Sequence, residues 1–198
     1  NTIVIKPDKV TNWNNPYVDV STDSWFYNEL AYMTQTGVVN GKSGNVFSPN
    51  TPVTRGMLVT LLYRMYGSPD PGKSVYFKDV SQNAYYTDAI NWAASTGVIT
   101  GYANNTFKPD MVITREQMAA ILYRFASYRG YAYYQETGTL GMYSDAHEIA
   151  PYAVRALSWA TANGIITGKT AQTLGPHYYV SRAEAVVMLY RFGTMFGM

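Results

Sequence analysis

Three observations predict a mainly α fold built from three tandem helix-loop-helix repeats. First, a helix start followed by an apolar stripe occurs three times: Thr54-Arg55-Gly56-Met57 leads to Leu61-Leu62-Tyr63-Arg64-Met65, Thr114-Arg115-Glu116-Gln117 to Ile121-Leu122-Tyr123-Arg124-Phe125, and Ser181-Arg182-Ala183-Glu184 to Met188-Leu189-Tyr190-Arg191-Phe192. Second, other landmarks keep step with it. Gly37, Gly97 and Gly164, then Gly41, Gly101 and Gly168, then Phe47, Phe107 and Leu174, then Pro49, Pro109 and Pro176 recur in the same order. From Gly37 to Gly97 is 60 residues and from Gly97 to Gly164 is 67, with the extra length mainly in 126–142. Third, apolar residues recur at helical spacing in two segments of every unit. A fixed period of this size marks a repeat architecture.

The elements follow in chain order. Residues 1–16 hold a short Ile3-Val4-Ile5 run and then Lys, Asp, Asn and Pro without periodicity, so they read as a tether or edge segment. The repeats then occupy 17–70, 71–130 and 131–198 and form one compact module. Tyr17-Val18-Asp19-Val20, Phe77-Lys78-Asp79-Val80 and Tyr143-Ser144-Asp145-Ala146 open them. Asp19, Asp79 and Asp145 each stand beside a Ser or Thr rather than in a carboxylate cluster, which points to Asx-turn capping of the first helix. That helix is expected over Trp25 to Thr36, Tyr85 to Thr96 and Tyr152 to Asn163, stopped by Gly37, Gly97 and Gly164 at a left-handed position that costs glycine nothing. A glycine-bearing loop leads through Phe-x-Pro to the second helix, whose stripe includes Leu58, Leu61, Leu62 and Met65 in the first unit. One two-helix unit cannot bury such a stripe alone, so the units must pack together.

The second helix begins at a hydroxyl N-cap, with Gln117 or Glu184 completing a capping box in two copies. In the first copy Gly56 and Met57 stand instead, so that first turn is expected to fray and to present Arg55 least well. Arg64, Arg124 and Arg191 lie near the other helix end, where the dipole favours a cation, and need no further account. Arg55, Arg115 and Arg182 do need one, because a cation in the first turn opposes the dipole. Two readings stand open. The guanidinium fork and free first-turn N–H groups make a site for a carboxylate or phosphate, or each Arg pairs internally with an Asp or a loop carbonyl.

Composition excludes several classes. The 198 residues are 47% hydrophobic and 14% charged with net charge +2, which is globular and offers no basic footprint for nucleic acid. No stretch approaches 18 apolar residues, so no membrane partner is expected. Without cysteine, and with His147 and His177 unaccompanied by ligand spacing, no metal or other cofactor is expected. The glutamates Glu29, Glu116, Glu136, Glu148 and Glu184 are mostly non-equivalent, which does not suit the paired carboxylates of a glycosidase. Nineteen Tyr against seven Phe supply flat faces with polar tips, suited to sugars or wet interfaces. Further candidates come from equivalent positions. Tyr32, Trp92 and Trp159 stack on a sugar or cover a helix seam; Gly41, Gly101 and Gly168 admit a ligand to the backbone or serve turns; Lys42, Tyr102 and Lys169 follow them.

Taken in order, Phe-x-Asp-Val (77–80), the aromatic pair Tyr85-Tyr86, Ala89-Ile90 with Ala93, Gly97-Val98-Ile99 with Gly101, Phe107-Lys108-Pro109, Thr114-Arg115 and Leu122-Tyr123-Arg124 resemble the S-layer homology domain. Three copies covering about 17 to 193 resemble its triplet. The resemblance implies a monomeric pseudo-threefold bundle with inter-repeat grooves, on the bacterial cell surface. It also implies non-covalent anchoring to a cell-wall polysaccharide, through a pyruvate ketal on N-acetylmannosamine, whose single carboxylate would meet Arg55, Arg115 and Arg182. The Thr-Arg-Ala-Glu motif is nearly intact at 181–184, altered at 114–117 and weakest at 54–57, so the grooves are expected to be unequal. A self-assembly or protein-docking domain is the alternative, and a glycosidase the third.

Overall fold

The protein is described here from a computed structural model, which describes residues 12–131 and 139–198. The Ile3-Val4-Ile5 run and residues 132–138 of the longer stretch between the second and third repeats lie outside the described residues. Among the described residues six α-helices carry the fold: α1 (Tyr27–Gln35), α2 (Arg55–Met65), α3 (Thr87–Ser95), α4 (Arg115–Tyr128), α5 (Val154–Ala162) and α6 (Arg182–Phe196). Two short 3₁₀ turns, at Thr139–Met142 and Ala146–Glu148, precede α5. Among the described residues the only β pairing is isolated bridges. The fold is mainly α, as the periodicity predicts.

The second helix of each repeat packs on the first helix of the next: α2 on α3, α4 on α5, and α6 back on α1. That last contact closes the ring. Leu58, Leu62, Met118, Leu122, Ala185, Leu189 and Phe192 are all fully buried in one continuous core. Full burial of one such side chain contributes about 1.5–3 kcal/mol, and none of these stripes would find cover within its own repeat.

A cyclic set of backbone hydrogen bonds marks the pseudo-threefold axis. The Val53 N–H donates to the Val180 carbonyl (2.8 Å), Val180 to Ile113 (3.1 Å) and Ile113 to Val53 (3.0 Å). All three side chains are buried, so each repeat satisfies a polar group that the next would otherwise leave orphaned.

First helices begin two residues later than the sequence suggests, and no side chain caps them. The aspartates have another task. Asp19 accepts from the Phe47 and Ser48 N–H groups (2.8 and 2.7 Å), Asp79 from Phe107 and Lys108 (2.8 and 2.7 Å), and Asp145 from Leu174 and Gly175 (2.8 and 2.7 Å). The opening Asp therefore clamps the Phe-x-Pro loop and does not cap the helix. The middle residue of that loop is left-handed in every copy, at φ 60° for Ser48, 57° for Lys108 and 67° for Gly175. Only the third copy uses the residue that adopts this backbone without strain. The first helices do end as expected, with Gly37, Gly97 and Gly164 at φ 75°, 74° and 66°.

Candidate functional site

The second helices start as their sequences dictate. Thr54, Thr114 and Ser181 are extended at the N-cap and accept from the N3 backbone, and full capping boxes form with Gln117 and Glu184. What the sequence does not show is the fate of the other first-turn donors. The Arg55 and Gly56 N–H groups donate to Met111 and Pro109, those of Arg115 and Glu116 to Tyr178 and Pro176, and those of Arg182 and Ala183 to Thr51 and Pro49. The Phe-x-Pro loop of a neighbouring repeat thus consumes them. The second helices therefore keep no free N1 or N2 donor to hold an anion.

The arginines follow the same path. Arg55 Nε and Nη2 donate to the carbonyls of Phe107 (2.9 Å) and Thr100 (3.2 Å), and Arg182 to Phe47 (2.7 Å) and Asn40 (2.8 Å). Arg115 Nε donates to Leu174 (2.9 Å), and its Nη2 to Thr167. Internal pairing with loop carbonyls is therefore what the geometry contains, and among the described residues no Asp forms an ion pair with these guanidiniums. Arg55 and Arg115 are buried and Arg182 half-buried. Desolvation pulls all three pKa values below the ordinary arginine value, yet arginine stays charged in proteins. Each is a cation pinned between repeats with one face toward a groove.

Three grooves result, and every one is assembled from all three repeats. Groove 1, about 310 Å³, takes Asn40, Gly41 and Lys42 with the α2 residues Met57 and Arg64, Arg182 from the third repeat and Tyr85 from the second. Groove 2, about 290 Å³, takes Gly101 and Tyr102 with Gln117 and Arg124 of α4, Arg55 from the first repeat and Tyr152 from the third. Groove 3, about 250 Å³, takes Gly168 and Lys169 with Glu184 and Arg191 of α6, Arg115 from the second repeat and Trp25 from the first. These volumes lie near the lower end of the range for small-ligand sites. In each, two guanidiniums from different repeats face one cavity beneath an exposed aromatic. That aromatic is 63% exposed for Trp25, 61% for Tyr85 and 55% for Tyr152.

The structure sorts the sequence candidates. Arg55, Arg115, Arg182, Gly41, Gly101, Gly168, Lys42, Tyr102 and Lys169 all line grooves. Internal packing demands glycine at two of these positions: a Cβ at Gly101 would lie 2.2 Å from Phe77 Cε1, and one at Gly168 would lie 2.8 Å from Tyr143 Cε1. Tyr102 lies under Arg55, at 5.1 Å from ring centroid to guanidinium carbon. Trp92 and Trp159 need correcting. They are 2% and 0% exposed, packed against Tyr63, Tyr66 and Phe125 and against Tyr123, Phe192 and Phe196. They fill helix seams, because the stripe of the neighbouring second helix covers what a single helix would leave exposed. Tyr32 is 40% exposed but sits edge-on to Tyr190, also outside the grooves. Gly56 also differs from expectation. It packs against Tyr86 and Pro109 so closely that a Cβ would lie 2.9 Å from Tyr86 Cδ1, so that first turn is pinned and not frayed.

Two classes of groove residue were missed. Arg64, Arg124 and Arg191 recur at one offset, but the helix dipole already accounted for them locally. Trp25, Tyr85 and Tyr152 recur two residues before each observed first helix, and the expected helix start absorbed them. Glu116 was also missed. It is 5% exposed and accepts from the Ala150 N–H and the Tyr152 hydroxyl, both at 3.0 Å, so it aims Tyr152 at groove 2. Burial and this carboxylate push the Tyr152 phenol up to about 12, keeping it a donor. Among the described residues no group of His, Asp and Glu could hold a metal ion, and no helix is long and apolar enough to cross a membrane.

A family model described as the S-layer homology domain matches residues 16–56, 76–119 and 143–186. The chain is similar to an endoglucanase of Bacillus sp. (strain KSM-635), 30% identical over 88% of this chain and 18% of that protein. It is similar to a surface-layer 125 kDa protein of Lysinibacillus sphaericus, 29% identical over 80% of this chain and 13% of that protein. A cellulosome-anchoring protein of Acetivibrio thermocellus is 27% identical over 77% of this chain and 34% of that protein. The chain therefore spans about a third or less of each, and the endoglucanase owes most of its length to sequence outside the match.

Proposed function

As the chain belongs to the S-layer homology domain family, and with it to the bacterial cell surface and wall, we propose that it anchors a surface protein non-covalently by binding a pyruvylated secondary cell-wall polysaccharide in its three grooves. The observation that carries this reading is the pairing of guanidiniums: Arg182 with Arg64, Arg55 with Arg124, and Arg115 with Arg191 line one groove each. Two cations around a small cavity suit one carboxylate, and the exposed aromatic above offers a face for the pyranose ring.

The roles divide between the two arginines. The first-turn arginine spends Nε and Nη2 on loop carbonyls, so it contributes charge, a remaining Nη1 edge and the position of the glycine loop. Of the arginines from the grooves' own second helices, Arg124 is exposed and open to the ligand, whereas Arg64 also donates from Nη1 to the Val38 carbonyl at 3.4 Å. Hydrolysis has no support here, since among the described residues no carboxylate lines grooves 1 and 2 and Glu184 alone lines groove 3, whereas glycoside cleavage uses two.

Arg124 gives the cleanest test, because it is exposed and its removal orphans no buried carbonyl. Arg124→Gln should leave the melting temperature unchanged and weaken groove 2 about five- to tenfold, as expected for one partly solvated charge contact. Calorimetry with isolated wall polysaccharide, before and after removal of the ketal, reads this out. Equal binding of both polymers would sink the carboxylate reading.

A further inference from the structure

The grooves are alike in plan but not in charge, and the difference falls on one position, the third residue of each second helix. That residue is Met57 in groove 1, Gln117 in groove 2 and Glu184 in groove 3. Among the described residues, only groove 3 has a carboxylate in its wall. The Glu184 Oε1 accepts from Lys169 Nζ at 2.6 Å and lies 3.8 Å from Arg115 Nη1, the donor edge that the loop carbonyls leave over. Its other oxygen accepts from the Ser181 N–H at 2.9 Å and closes the capping box.

We propose that Glu184 is an internal anion that occupies the Lys169 and Arg115 cations of groove 3, so that groove 1, not groove 3, is the principal anion site of this protein. The proposal rests on the glycan-anchoring reading and names which groove carries it. In groove 3 an incoming carboxylate must displace Glu184 from Lys169 or sit beside it as a like charge, and either lowers affinity. Groove 1 has Lys42 at the position equivalent to Lys169, together with Arg64 and Arg182, and only Met57 where the carboxylate would be. Groove 2 lies between, with Arg55 and Arg124 but Tyr102 in place of the lysine. The helix cap does not need the charge. Gln117 closes the same capping box in α4 with its amide oxygen, donor Thr114 N–H at 3.0 Å.

The experiment compares the wild-type chain, Glu184→Gln and Met57→Glu by amide-resolved NMR titration. Two probes are used separately: the methyl glycoside of N-acetylmannosamine carrying a pyruvate ketal, and inorganic sulfate as a bare anion. Wild-type protein should fill groove 1 at the lowest concentration of either probe and groove 3 at the highest. Glu184→Gln should strengthen groove 3 about five- to tenfold and leave groove 1 unchanged. Met57→Glu completes a capping box, so it should raise the melting temperature while weakening groove 1, a combination that a merely structural role for this position would not give. If the sugar binds nowhere but sulfate follows this pattern, the glycan reading fails and the internal anion stands. If the sugar binds grooves 1 and 2 while Glu184→Gln leaves groove 3 as weak as before for both probes, the internal anion is overturned and the glycan reading stands.

Discussion

Asp79 illustrates how much one side chain can decide. Its two oxygens hold the Phe107 and Lys108 N–H groups at 2.8 and 2.7 Å, and they fix Lys108 in a left-handed backbone that a lysine adopts only at a cost. Burial opposes ionisation, but the backbone donors outweigh it, and the net shift lowers the pKa of Asp79; Asp19 and Asp145 behave alike. A folded-state value below the unfolded one, about 3.9, means that the ionised clamps stabilise the fold above that value. Their contribution fades as pH falls through the depressed folded values. Stability should therefore be flat near neutrality and decline from about pH 5 downward, with part of the slope missing in Asp79→Asn. The asparagine can accept only one of the two N–H groups, so a loss of about 1–3 kcal/mol at pH 7 is expected, lowered by solvent exposure. Urea unfolding of both proteins at pH 3.5, 5 and 7 measures this, and parallel pH profiles would contradict the clamp. The role was invisible in the sequence because its partners lie 28–30 residues away, whereas capping was a local explanation that looked sufficient.

At the scale of elements, legibility followed locality. Apolar spacing gave the six helices, the hydroxyl caps gave the starts of α2, α4 and α6, and the glycines gave the stops of α1, α3 and α5, because each of these signals is read within a few residues. Burial was misjudged where it depends on a neighbour. Trp92 looks like the edge of α3 until α2 lies across it with Tyr63 and Tyr66. The packing demand on the loop glycine was hidden for the same reason. Gly101 has a backbone open to any residue, yet a Cβ there would meet Phe77 Cε1 at 2.2 Å and the Thr106 carbonyl at 3.0 Å. Gly101→Ala must push Phe77 off its place over Phe107, a pair with centroids 5.5 Å apart. Overpacking of this kind costs about 1–3 kcal/mol. It also shifts the loop that carries Thr100 and Tyr102, so both stability and groove 2 binding should fall. Unchanged melting in Gly101→Ala would show that the ring moves freely and that the glycine answers to something else.

On the scale of the whole molecule, closure separates this chain from an open repeat array. In a linear stack each repeat contacts only its neighbours, and removing a terminal one breaks one interface. Here α6 returns to α1, Arg182 donates to Asn40 and Phe47, and Val53, Ile113 and Val180 are joined in a cycle. Removing the third repeat breaks two interfaces at once. It uncovers the α1 and α4 faces, orphans the Ile113 carbonyl and the Val53 N–H, and leaves the Asn40 and Phe47 carbonyls without their guanidinium. The grooves are divided in the same way. Groove 1 would lose Arg182 and groove 2 would lose Tyr152, although their glycine loops and second helices remain. A fragment of residues 12–131 should therefore show no cooperative thermal transition, a weak near-ultraviolet circular dichroism signal and no measurable binding of pyruvylated polymer. The intact chain should unfold in one step with calorimetric and van't Hoff enthalpies equal. A two-repeat fragment that melts cooperatively and keeps groove 2 affinity within about threefold of the intact chain, well under the tenfold that 1.4 kcal/mol represents, would show that the ring does not hold the repeats together and that each groove belongs to fewer than three of them.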